Sequence, residues 1–137
     1  MDLPLGKATA VTRSVLVVDD DVEMRASLSE FLESEGFSVR TAEHGLEALS
    51  LLRTIEPPGL ILLDFMMPVM NGTQFLVEQK SDPRLRGIPI VILSAWARDW
   101  KGDALGVDAV LAKPIDPERL VMLVDRYCDR RSVKRTL

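Results

Sequence analysis

Four short, uninterrupted apolar runs constrain this chain more than any other feature: Val15 to Val18, Leu60 to Leu63, Ile88 to Leu93 and Ala109 to Ala112. A strand with one wet face alternates apolar and polar residues. Continuous runs of this length are how strands covered on both faces of a parallel sheet read. A fifth, weaker run, Phe37 to Thr41, alternates and is expected at a sheet edge. Between the runs lie helical spacings. Met24, Leu28, Phe31 and Leu32 share a face before Gly36; Ala48, Leu49, Leu52 and Ile55 do so before Pro57; Phe75, Leu76 and Gln79 do so more briefly before Pro83. The last helix has the plainest start, with Asp116 as N-cap and Pro117 in first position, followed by a stripe of Leu120, Leu123, Val124 and Tyr127. Strands alternating with helices imply right-handed βαβ units, and so an α/β domain with a doubly wound, five-stranded parallel sheet carrying helices on both faces. Between Ala95 and Gly106 there is room only for a short or irregular helix.

Length and composition narrow the function classes. At 137 residues the chain fits one domain, and any output is expected to pass through a partner. It is 47% hydrophobic and 28% charged, and no apolar run approaches the roughly 20 residues that span a bilayer. The opening residues lack a signal peptide's basic start and apolar stretch, and Cys128 is the sole cysteine, so a cytoplasmic, disulfide-free protein is expected with no membrane partner. The net charge of −4 is divided: Arg126, Arg130, Arg131, Lys134 and Arg135 against Asp129 give the last twelve residues +4, leaving −8 on the rest. An acidic body argues against direct nucleic-acid binding, and the basic end reads as a solvated helix terminus.

Each apolar run leads directly into a polar group: Val18 into Asp19, Asp20 and Asp21, Leu63 into Asp64, Leu93 into Ser94, and Ala112 into Lys113. In an open α/β sheet these are the carboxyl ends of the strands, where ligands bind. Two ionised carboxylates about 4 Å apart repel by roughly 4 kcal/mol at an effective dielectric of 20, so Asp19, Asp20 and Asp64 sharing one crevice need a cation. Hard oxygen donors without His or Cys point to Mg²⁺, which keeps waters and favours phosphate as a further ligand. Lys113 adds positive charge and Ser94 a hydroxyl donor, completing a phosphoryl site. Taken singly, each residue has a commoner structural use as a cap, a turn partner or a solvated charge. Four strands ending this way in one short chain outweigh those uses, except for Asp21, which is assigned to capping the first helix.

The strings Val15-Leu16-Val17-Val18-Asp19-Asp20-Asp21, Leu62-Leu63-Asp64-Phe65-Met66-Met67-Pro68-Val69-Met70-Asn71-Gly72, Val91-Ile92-Leu93-Ser94-Ala95 and Lys113-Pro114 resemble the receiver domains of two-component response regulators. The resemblance covers Arg13 to Tyr127, leaving residues 1–12 as an N-terminal extension and 128–137 as a basic tail. It implies a flavodoxin-like fold with strand order 2-1-3-4-5. By the same resemblance Asp64 is the phosphoacceptor, Asp19 and Asp20 bind Mg²⁺ with Asp64 and the backbone carbonyl of Met66, Ser94 hydrogen-bonds the phosphoryl group and Lys113 pairs with it. The Lys113-Pro114 bond is expected to be cis. The partners implied are a histidine kinase or histidine phosphotransfer protein upstream and a protein target downstream, with the domain a monomer or a phosphorylation-dependent dimer and not a turnover enzyme.

Two features depart from the family pattern. Val110 stands where receivers commonly carry a rotating Tyr or Phe, so output is expected to run through Ser94 and the segment from Ala95 to Lys101. The segment from Ser94 to Lys113 is also shorter than in many members. Met66 and Trp96, two residues beyond Asp64 and Ser94, are bulky and cannot orient water, which implies a long-lived phosphoryl group. Trp96 and Trp100 have two uses, a partner surface or packing. His44 reads as a surface residue and Cys128 as a packed one. A pseudo-receiver acting without phosphorylation is the alternative. A haloacid-dehalogenase-like phosphotransferase ranks far lower because the second Asp of its Asp-x-Asp motif is Met66 here, and a flavin module lacks its phosphate loop.

Overall fold

The computed structural model describes residues 13–67, 69–95 and 106–136, with side chains of the last helix described through residue 128. Five strands, β1 (Ser14–Val18), β2 (Ser38–Ala42), β3 (Leu60–Asp64), β4 (Ile90–Ser94) and β5 (Ala109–Ala112), form one sheet in the order β2-β1-β3-β4-β5. All four pairings are parallel. Four helices are described: α1 (Val22–Ser34), α2 (Gly45–Leu52), α3 (Gly72–Ser81) and α4 (Pro117–Thr136). The doubly wound sheet, its strand order and the edge position of β2 follow the sequence expectation.

The continuous runs feed two cores. Leu16, Val18, Ile61, Leu63, Ile90 and Ile92 face α2 and α3, meeting Ala48, Leu49, Leu52, Phe75 and Leu76. The intervening Val15, Val17, Leu60, Leu62, Val91 and Leu93 face α1 and α4, meeting Leu28, Leu32, Leu120, Val124 and Cys128. Burying one such side chain is worth about 1.5–3 kcal/mol, so both faces hold the central strands in place.

Local chemistry sets the helix limits. Asp21 caps α1 by accepting from the amides of Glu23 and Met24. At its other end the Gly36 amide donates to Glu33 O and the Phe37 amide to Leu32 O, while Gly36 takes φ +95°, which only glycine adopts without strain. Asn71 and Gln74 form a reciprocal capping box on α3, each side chain accepting from the other's amide at 2.9 Å. Asp116 caps α4 through the Glu118 amide.

Several expectations are corrected. The second helix stops at Leu52 rather than reaching Ile55, ahead of Pro57 and Pro58, which have no amides to continue it, and the Arg84 guanidinium donates to the carbonyls of Leu52 and Ile55 at its end. β4 starts at Ile90, since Pro89 has no amide to donate to a ladder. β5 is the second edge of the sheet and buries only Leu111, despite its continuous apolar run. α4 passes through Tyr127 to Thr136, so the basic end is a helix terminus, as read from its charges, and the residues set apart as a tail from 128 onwards continue the helix. His44 is the N-cap of α2, its Nδ1 accepting from the Glu47 amide at 3.2 Å. The segment expected to hold a short helix, with Trp96, Trp100 and Lys101, and the N-terminal extension lie outside the described residues.

Candidate functional site

Strand register decides which ends meet. Val18 pairs with Leu63, so the next residues, Asp19 and Asp64, leave β1 and β3 side by side. Asp64 pairs with Leu93, which places Ser94 one step beyond it on β4. Ser94 pairs with Ala112, and Lys113 follows at the end of β5 with its amide bonded to Ser94 O at 3.0 Å. The four strand-end groups read from the sequence therefore line one edge of the sheet.

Asp19, Asp20 and Asp64 each offer an oxygen within 4.8 Å of the others. Asp19 is fully buried and Asp64 is 5% exposed, whereas Asp20 is exposed. Lys113 Nζ lies 3.2 Å from Asp64 Oδ1 and 3.5 Å from Asp19 Oδ2, with its side chain 24% exposed. Ser94 is buried beside them at the end of β4. The Lys113-Pro114 peptide is cis, as the resemblance implied.

Asp19 is the most fully engaged of the three acids. Its amide donates to Ala42 O at 3.1 Å, its Oδ1 accepts from the Asp21 amide at 2.9 Å, its Oδ2 faces Lys113, and its carbonyl accepts from Arg25 Nη1 at 2.7 Å. Arg25 was not singled out from the sequence. The available signal was a cation one turn into the helix that follows an acidic triplet. Asp21 turns away to cap α1, as expected.

The electrostatics follow from burial and crowding. Burial pushes the Asp64 carboxyl up from 3.8 to about 6, and the Asp19 carboxylate adds to this, while Lys113 opposes both. For Lys113 burial alone would favour the neutral amine, yet Asp19 and Asp64 outweigh it and hold the ammonium above its ordinary value. One ammonium, paired with Asp19 and Asp64, thus stands at a cluster of three carboxylates, an excess of negative charge that a hard divalent cation fits. Asp20 on the exposed side leaves room for the waters that Mg²⁺ retains. Among the described residues the cluster has no His or Cys member, which disfavours Zn²⁺.

Two residues past Asp64, Met66 is 64% exposed. Gly72, at the start of α3, lies tightly against Phe65: a Cβ there would come within 2.5 Å of the Phe65 ring and 3.2 Å of its Cα. Val110 is partly buried against the core on the α2 and α3 side.

Comparison with known proteins agrees with this geometry. A family model described as the response regulator receiver domain matches residues 15–125. The chain is 42% identical over 110 residues to a CpxR homolog, a transcriptional regulatory protein of Haemophilus influenzae, covering 78% of this chain and 46% of that protein. It therefore spans about half the length of that relative. It is 32% identical over 122 residues to the polar-differentiation response regulator DivK of Brucella ovis, covering 85% of this chain and 97% of DivK. Among solved structures, the chemotaxis response regulator CheY4 of Vibrio cholerae superposes with a TM-score of 0.76 at 32% identity, covering 83% of this chain and 97% of that one. In family model, relatives and fold alike, the chain belongs to the response regulator receiver domains of two-component signalling.

Proposed function

We propose that this receiver domain takes a phosphoryl group on Asp64 from a phosphohistidine of a histidine kinase or histidine phosphotransfer protein and signals to a downstream protein by contact. The observation that carries the reading is the convergence of three carboxylates and one ammonium at adjoining strand ends, with Lys113 Nζ 3.2 Å from Asp64 Oδ1. An Asp64 oxygen attacks phosphorus; the new P–O bond forms as the P–N bond to the partner's imidazole breaks, and the nitrogen keeps that electron pair. Lys113, already on Asp64, pairs with a phosphoryl oxygen as the carboxylate loses its charge. The Ser94 hydroxyl donates to another. Mg²⁺ held by Asp19, Asp20, Asp64 and the Met66 backbone carbonyl would offset the charge of the carboxylates and of the transferring group. No substrate turns over; the acyl phosphate is the signal, and its hydrolysis ends it.

Incubation with Mg²⁺ and acetyl phosphate, read by intact mass, tests the reading. Wild type should gain one phosphoryl group and Asp64→Asn none. Excess chelator should abolish the gain. An unlabelled wild type that still binds its cognate kinase would instead make the domain a pseudo-receiver. Label persisting in Asp64→Asn would move the site to another carboxylate.

A further inference from the structure

The three consecutive acids after β1 have three separate fates. Asp21 caps α1. Asp19 is locked by hydrogen bonds, with Ala42, Asp21, Lys113 and Arg25 as the partners of its amide, its two carboxylate oxygens and its carbonyl. Asp20, between them, is exposed. The point from which its side chain departs is set by the two peptide planes that flank it.

The plane before Asp20 contains the Asp19 carbonyl. That oxygen lies past the last ladder residue of β1, although the Asp19 amide still bonds to Ala42 O on β2. The Arg25 guanidinium reaches back from the first turn of α1 to donate to it at 2.7 Å in a partly buried setting. Because the peptide unit is rigid, fixing its oxygen also fixes its nitrogen, which belongs to Asp20, and so the point from which the Asp20 side chain departs. The plane after Asp20 is held by the Asp21 amide on Asp19 Oδ1. Arg25 itself is anchored, its amide bonded to Asp21 O at 3.0 Å in the first helical turn. The arginine therefore closes a short loop of bonds around the acid triplet.

We infer that Arg25 is a positioning residue for the cation site: by holding the Asp19 carbonyl it fixes the Asp19–Asp20 peptide and presents the Asp20 carboxylate to the metal shared with Asp64. This rests on the proposed Mg²⁺-dependent phosphoryl reading and adds a residue that touches neither metal nor phosphoryl group. A guanidinium suits the task because it stays charged and directs its N–H groups in a fixed fork, which an ammonium cannot match.

The test measures Mg²⁺ binding directly, by isothermal titration calorimetry on the full chain, for wild type, Arg25→Ala and Arg25→Lys. Phosphoryl uptake from acetyl phosphate is followed across a Mg²⁺ series in parallel. Arg25→Ala should raise the Mg²⁺ dissociation constant about tenfold or more, the usual cost of removing an outer partner of a metal site. Its phosphoryl uptake should recover towards the wild-type rate at saturating Mg²⁺, and Arg25→Lys should fall between the two. An unchanged Mg²⁺ dissociation constant in Arg25→Ala overturns the inference, as does an uptake rate that stays depressed at saturating Mg²⁺. If Arg25→Ala melts below the assay temperature, Arg25→Lys decides alone, and wild-type affinity in it is the overturning result. Failure of the phosphoryl reading is distinguishable: wild type would bind Mg²⁺ but gain no mass, while the calorimetric comparison would still judge Arg25.

Discussion

Ionising Asp64 costs the folded state free energy. Its carboxyl titrates at about 6 in the fold against 3.8 ordinarily, because it is buried and lies beside Asp19. Below pH 3.8 the group is protonated whether the chain is folded or not, and the site carries no penalty. As pH rises through 6 the folded state must bear the charge, and the stability contributed by the neutral carboxyl is lost, by an amount on the order of 2–3 kcal/mol. Asn cannot ionise. In chelator, the melting temperature of Asp64→Asn relative to wild type should therefore climb between pH 4 and 7 and then level off. The Lys113 contact strengthens as Asp64 ionises and is already included in where the carboxyl titrates, so the slope of that difference with pH is the diagnostic quantity. A flat difference across the range would show that Asp64 is not strained by its charge. Met66 supports a kinetic prediction at the same scale. Its thioether stands exposed two residues past Asp64 and cannot hold water in line for attack. Met66→Asn should shorten the lifetime of the purified phosphoprotein, measured as loss of the phosphoryl mass with time; an equal or longer lifetime would remove Met66 from the control of hydrolysis.

At the scale of elements, the junction between β3 and α3 ties packing to the site. Gly72 begins α3, its amide donates to Phe65 O at 2.9 Å, and Phe65 directly follows Asp64. A methyl group at 72 would overlap the Phe65 ring and press on its Cα at 3.2 Å, so the ring and the backbone beside Asp64 would both have to shift. Gly72→Ala should cost roughly 1–3 kcal/mol in denaturant unfolding and slow phosphoryl uptake, although residue 72 is remote in sequence from Lys113 and Ser94. Wild-type stability in that variant would show the junction to be pliable. The elements legible in the sequence were those whose limits are written locally. Asp116-Pro117 starts α4, Gly36 ends α1, and the apolar runs mark strands covered on both faces. Those misread depend on distant partners. Ile55 fits the helical spacing of α2, yet the helix ends at Leu52, and the carbonyls of Leu52 and Ile55 are met by Arg84, far along the chain. The small side chains of β5 read as interior, yet no strand follows it in the sheet, so only Leu111 is covered. The candidate acids, Ser94 and Lys113 were legible because strand ends are, whereas Arg25 was not: its role depends on where a long side chain folds back, which spacing does not encode.

Across the whole molecule, stability and function are separated along the strand direction. Two apolar cores sandwich the sheet, while the buried charges collect at its carboxyl edge. The fold therefore closes without the cation, and Mg²⁺ adds stability by mass action on a domain already formed: about 2.7 kcal/mol at a concentration one hundred times the dissociation constant. The melting temperature of wild type should rise by several degrees with the logarithm of Mg²⁺ concentration, a rise of that size following from the free energy for a domain of this length. Two further dependences distinguish this site from general salt effects. Asp20→Ala removes the exposed carboxylate, and the rise should shrink or vanish, while KCl at matched ionic strength should not reproduce the wild-type response. Protons compete for Asp64 below about pH 6, so the rise should be smaller at pH 5 than at pH 7.5. This is the pH range over which the Asp64 contribution to metal-free stability rises on acidification, so the Mg²⁺-bound and metal-free stabilities should converge as pH falls. Thermal melts over a grid of pH and Mg²⁺ concentration would show that convergence. A Mg²⁺-induced rise equal at both pH values, or undiminished in Asp20→Ala, would place the ion elsewhere on the acidic body rather than at the strand ends.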